Sequence, residues 1–184
     1  MIQAAWTGGL KTAQKILSSI LEWLLMLLMV LLTTVVIVAV IFRKLDASFS
    51  WYDEVASILL SWVTYYGASL AALKRKHIGF DSVLLAIPMP LRLWAMALSE
   101  ALVIGFFIVL AWAGWEVLQV LEGDTLVSLT WVPVQFTQSV IPIGAVLFVI
   151  CELLSLPGYW VSVANAHSLE HEAMVAEIGE AKDP

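Results

Sequence analysis

Residues 23–42 read WLLMLLMVLLTTVVIVAVIF, twenty consecutive positions without a charge. At about 1.5 Å of rise per residue, a helix of that length reaches roughly 30 Å, the thickness of one hydrocarbon core. The rest of the chain repeats the pattern. Residues 55–73 form a second charge-free run, residues 93–115 a third interrupted only by Glu100, and residues 125–151 a fourth. A β-barrel would need segments of about ten residues alternating in polarity, and the chain has no such segments. A helix satisfies its own backbone groups in lipid. The expected fold is therefore all-α integral membrane, with four transmembrane helices at about 23–42, 55–73, 93–115 and 131–151.

Composition supports this reading. Of the 184 residues, 61% are hydrophobic and 13% charged, whereas a soluble domain is about half apolar and about a quarter charged. A soluble core of this size cannot hide that much apolar surface. The formal charge of −6, with nine Lys and Arg in total, leaves no basic surface for nucleic acid. The single cysteine, Cys151, excludes a disulfide framework or a Cys-rich metal site.

The flanks complete the layout. Residues 1–22 form an N-terminal segment in which Ile2, Trp6, Leu10, Ala13, Ile16, Leu17 and Ile20 recur at helical intervals. They predict a short interfacial helix ahead of the first span. No small-x-small cleavage site follows residue 42, so the first span is expected to be retained. The membrane domain covers 23–156, and 157–184 is an acidic tail. Lys11, Lys15, Lys74, Arg75, Lys76, Arg92 and Lys182 fall on one side of the membrane, against Arg43 and Lys44 on the other. That asymmetry predicts cytoplasmic termini.

Local signals suggest the boundaries. Ser50-Trp51-Tyr52-Asp53 matches an S-x-x-D helix start, with Asp53 and Glu54 suited to the positive end of the second helix. Residues 80–87 are apolar but too short to span, and predict a second interfacial segment. Pro133 suits the first turn of the fourth helix, and Pro142 should kink it. Trp51, Trp62, Trp94, Trp112, Trp115, Trp131 and Trp160 mostly fall near predicted span ends, as interface anchors do. Ser57, Ser61 and Thr64 share one stripe of the second helix. The stripe is either an internal face of a four-helix bundle or a docking face for another membrane protein.

Candidates for chemistry are few. Glu100 is the one ionisable residue well inside a predicted span. Its expected place is beside a basic partner near the cytoplasmic rim, or protonated at a helix contact, with contact to a partner subunit or ion coupling as the other readings. His77 and Asp81 lie one helical turn apart after Lys74-Arg75-Lys76, and read as a charged cap against lipid headgroups or as a structural network. His167 and His171 are too few for a metal site. No predicted span contains a His for haem, and no nucleophile shares a depth with a base. Neither an enzyme nor a metal centre is expected.

Taken in order, these residues resemble a family. Trp51-Tyr52-Asp53-Glu54 looks like the W-x-E-E start found in the small membrane subunit of TRAP transporters, the DctQ-like family. Trp62, Gly67-Ala68 and the run Leu70-Ala71-Ala72-Leu73-Lys74-Arg75-Lys76-His77-Ile78-Gly79-Phe80-Asp81 are similar to that family's next stretch. Pro88 and Pro142-Ile143-Gly144 resemble its later prolines. Asp53 stands where the family often has Glu, and Gly79 where β-branched residues are common. The likeness covers roughly residues 23–156.

The resemblance implies a scaffold subunit without a transport site or cofactor of its own. The implied partners are a large multi-spanning permease subunit, which would carry substrate and sodium, and a periplasmic binding protein delivering an organic anion such as a carboxylate or sugar acid. Membrane lipids surround the assembly, and the implied location is the bacterial or archaeal inner membrane. Trp51, Asp53, Glu54, Arg75, His77, Asp81 and Glu100 are the expected structural or partner residues, and Arg43 and Lys44 the expected docking residues. The alternatives are a small oligomeric channel or carrier, or the membrane anchor of another complex.

Overall fold

The computed structural model describes residues 2–47, 49–75 and 89–164. They form five helices: α1 (Ile2–Lys44), α2 (Tyr52–Leu73), α3 (Met89–Val120), α4 (Val134–Gln138) and α5 (Val140–Ala164). Four segments are long and apolar enough to cross a membrane: Lys11–Lys44, Tyr52–Leu73, Leu91–Val120, and Val134–Trp160, which takes in α4 and most of α5. The apolar interfacial segment expected at residues 80–87 lies outside the described residues.

Three boundaries differ from expectation. First, no separate interfacial helix precedes the first span, because α1 is continuous from Ile2 to Lys44. No proline interrupts it, and the Ser18 hydroxyl that could have capped a new helix donates instead to Glu22 Oε1 at 2.6 Å. Second, Ser50 does not cap α2. The N-cap is Trp51, which makes no side-chain cap bond. Ring packing secures the turn instead: Phe42 lies 4.7 Å from Phe49, which lies 5.5 Å from Trp51.

Third, the fourth span is two helices. Pro133 is the N-cap of α4, with extended ψ of 136°. Pro142 falls in the first turn of α5 rather than kinking its interior. Proline has no N–H to continue the ladder, so the chain breaks at Ser139 and restarts where the first N–H groups need no helical acceptor. The proline inside α5 is Pro157, and the helix passes through it to Ala164, well beyond the expected end at 151.

The helices stand in a row rather than closing into a compact bundle. α5 packs against α2 on one side and α3 on the other, while α1 packs on α2 and meets α5 only marginally. Two glycines permit these approaches. A Cβ added to Gly144 of α5 would sit 2.8 Å from Tyr65 Cβ of α2. A Cβ on Gly114 of α3 would sit 3.0 Å from Ile141 and 3.1 Å from Pro142. Small residues let backbones close up where lipid supplies no hydrophobic drive for helix association. Leu21, Ala72, Leu73, Phe148 and Cys151 form the buried cluster, and the Phe107 and Phe148 rings stack 3.7 Å apart across α3 and α5.

The outer helices keep broad apolar faces. On α1, Trp23, Leu27 and Val30 are exposed, and on α3 so are Trp94, Leu98, Leu102 and Phe106. The Ser57, Ser61 and Thr64 stripe also faces outward, which excludes the internal-face alternative. Each hydroxyl donates to the carbonyl four residues back in its own helix, at 2.8, 3.0 and 2.8 Å. That self-satisfaction lets a hydroxyl sit on a lipid-facing helix without an orphaned donor. Trp62 departs from the expected anchor role, because its Nε1 donates to Thr137 O of α4 at 3.1 Å.

Candidate functional site

Two polar clasps hold the row, one at each end. The first is centred on Arg75. α2 ends at Leu73, and Arg75 follows the Lys74 C-cap with φ of 50°. Glycine usually takes this left-handed position, and an L-residue there costs about 1–2 kcal/mol. The turn directs the side chain inward instead of toward the headgroups. Nε donates to Ser155 Oγ at 2.8 Å, and Nη1 reaches Glu100 Oε1 at 2.5 Å and Glu152 Oε1 at 2.8 Å. The guanidinium lies 4.6 Å from the centroid of the Tyr159 ring.

One side chain from the turn after α2 therefore ties α3 to α5. The Arg75 and Glu100 side chains are only 14% and 12% exposed, and that of Glu152 only 6%. A guanidinium suits this position because its planar fork presents donors in several fixed directions at once, which an ammonium cannot do. A buried ion pair adds little net stability when intact, but removing one partner is severe, because a charge is left buried and unpaired. Nearby, Lys74 Nζ pairs with Glu22 Oε1 of α1 at 2.7 Å, and Gln14 of α1 donates to Leu154 O of α5 at 2.7 Å. The Lys74-Arg75 pair thus divides its work, with Lys74 half-exposed and reaching α1 while Arg75 is buried and joins α3 to α5.

The second clasp is at the opposite end, on Glu54 in the first turn of α2. Its two carboxylate oxygens accept the backbone N–H groups of Val127 and Ser128, each at 2.9 Å. Ser128 Oγ also donates to Ser50 O at 3.0 Å. These charge-assisted bonds hold the loop between α3 and α4 over the start of α2. The loop is itself closed by an isolated antiparallel bridge between Thr125 and Pro133, and by Val134 N donating to Asp124 O at 3.0 Å. Gln135 Nε2 donates to Leu118 O at 2.8 Å and ties α4 back to α3.

The remaining sequence candidates are placed as follows. Trp51 packs in the aromatic turn, and Asp53 is exposed in the first turn of α2. Glu54 shares the first turn of α2 with Asp53, and its carboxylate is committed to the loop. Arg43 and Lys44 are exposed in the last turn of α1, where cations suit the helix dipole. His77, Asp81, His167 and His171 lie outside the described residues. Among the described residues, no group of three or more His, Cys, Asp or Glu could hold a metal ion.

The sequence reading missed Glu152, Ser155 and Tyr159. Glu152 is the first charge after the charge-free run 125–151. The spacing 152, 155, 159 places all three on one face of a continuing helix, which is the signal that could have found them.

Four apolar spanning helices, with polar side chains that tie helix to helix, define a polytopic membrane subunit. Over residues 29–160 the chain matches the family described as Tripartite ATP-independent periplasmic transporters, DctQ component, and it belongs to that family. It is therefore a transporter component, the small membrane subunit of a TRAP transporter, and not an enzyme. No curated protein matches the chain.

Proposed function

We propose that this chain is the static scaffold of a sodium-coupled, binding-protein-dependent secondary transporter for organic anions such as carboxylates or sugar acids. In this reading it anchors the large permease subunit, which carries substrate and sodium. At its outer end, beside Arg43 and Lys44, it contributes to docking of a periplasmic binding protein. The termini are cytoplasmic, as the asymmetry of basic residues supports, and the location is the inner membrane, a reading that rests on the family.

One observation carries this reading. The helices form an open row whose flanking helices, α1 and α3, present wide apolar faces, while Arg75, Glu100, Glu152 and Glu54 are spent on joining helices within the row. Such a shape suits a wall against which a larger subunit rests. The test is uptake by proteoliposomes. The small chain with its large subunit and binding protein should transport an organic anion, and the large subunit without this chain should not. Solute flux through liposomes holding this chain alone would overturn the proposal.

A further inference from the structure

Proline and glycine stand side by side at positions 157 and 158, inside α5. Pro157 has no N–H, so the Leu153 carbonyl has no donor in the backbone ladder, and the proline ring crowds it. After proline, glycine is the poorest helix former. No close approach requires it here, because a Cβ on Gly158 would meet nothing within 4 Å among the described residues. α5 nevertheless runs through both residues to Ala164. The carbonyls on either side of Leu153 each have a side-chain donor. Gln14 of α1 donates Nε2 to Leu154 O at 2.7 Å. Glu152 O accepts from Ser155 Oγ at 2.9 Å and from Arg75 Nη2 at 3.4 Å. We propose that Pro157 and Gly158 form a hinge in α5, with Gln14 built in as a substitute donor, so that residues 159–164 swing without orphaning Leu154 O.

In a regular helix the N–H of residue 158 bonds the carbonyl of residue 154. Opening the turn breaks that bond, and a carbonyl left without a donor away from water costs free energy. Where prolines interrupt spanning helices, neighbouring helices and Ser side chains re-satisfy the freed groups. Gln14 already does so for Leu154, and Ser155 with Arg75 does so for Glu152. The donor released by the opening belongs to Gly158, which is exposed and has no side chain to cover it. Gln14 is held in place, because Leu17, one turn further along α1, and Leu154 both pack against the buried cluster. The segment beyond the hinge therefore moves about a point that α1 fixes. This device lies within the chain and does not depend on what the assembled transporter carries.

The full chain, in the complex with which it purifies, would be followed by hydrogen exchange resolved to single amides, since exchange at Gly158 reports the local opening. Met and Lys are both long and unbranched, and only Lys donates, so Gln14→Met and Gln14→Lys isolate the donor. The expected result is exchange at Gly158 several-fold slower in Gln14→Met, because opening then orphans Leu154 O, and close to the original rate in Gln14→Lys. Pro157→Ala should slow exchange as well, and adding Gln14→Met to that variant should change little. A simple tie between α1 and α5 predicts the opposite sign, since its loss would loosen the helix. Faster exchange at Gly158 in Gln14→Met, or equal rates in the Met and Lys variants, would overturn the proposal. If Gln14→Met does not assemble, Pro157→Ala decides: slower exchange at Gly158 than in the unmodified chain supports the hinge, and equal exchange overturns it.

Discussion

Gly144 of α5 lies against Tyr65 of α2 so closely that a Cβ on the glycine would fall 2.8 Å from the Tyr65 Cβ. The atom met is the first carbon of a side chain, fixed by its backbone, so neither partner can swing aside. Ser69 marks the same approach, with its hydroxyl 3.0 Å from Tyr65 O and 3.4 Å from Gly144 O. Gly144→Ala should therefore force α2 and α5 apart and cost about 1–3 kcal/mol, the usual range for overpacking. A lowered melting temperature of the purified complex in mild detergent is the expected outcome. An unchanged one would show that the helices can separate without penalty.

Arg75 is the residue whose loss should be felt most. Arg75→Met strands two carboxylates between α3 and α5, and about 3–5 kcal/mol is the expected loss for breaking a buried pair. Arg75→Lys keeps the positive charge but not the fork that reaches Ser155, Glu100 and Glu152 together, so its stability should fall between those of the unmodified chain and the Met variant. Thermal unfolding of the three proteins side by side tests the order. A Lys variant as stable as the original would mean that charge alone matters there.

Glu54 should act on the outer loop rather than on α2. Glu54→Gln leaves one good acceptor where two charged oxygens now hold Val127 and Ser128. The amide hydrogens of those two residues should exchange several-fold faster, while amides in the middle of α2 keep their protection. Equal exchange at Val127 and Ser128 in both proteins would remove the clamp from the account.

Arg43 and Lys44 are exposed at the end of α1, and under the proposed function they meet the binding protein. Reversing both charges should weaken coupling to the binding protein at low salt, and the difference should shrink as salt rises, because exposed charges are screened. Binding measured by titration at two ionic strengths checks this. Equal affinities at low salt would place docking elsewhere.

The sequence by itself determined the number of spans and the architectural class. Residues 23–42 cannot be a soluble element, and a long charge-free run in lipid must be helical because no water is present to satisfy the backbone. Residues 51–88 and Pro142-Ile143-Gly144 also carried the family likeness. What the sequence could not reveal was which residues meet across the row. Glu152 is only the first charge after a run and Arg75 one member of a basic cluster suited to headgroups, a structural network or a partner, because hydropathy registers a charge without registering what lies opposite it. Likewise, Ser57, Ser61 and Thr64 mark a face of α2 but not whether that face turns inward. Partnership across helices depends on rotation and depth, which are set by close approaches such as Gly144 to Tyr65. Those approaches join positions far apart in the chain, so only the tertiary structure could decide them.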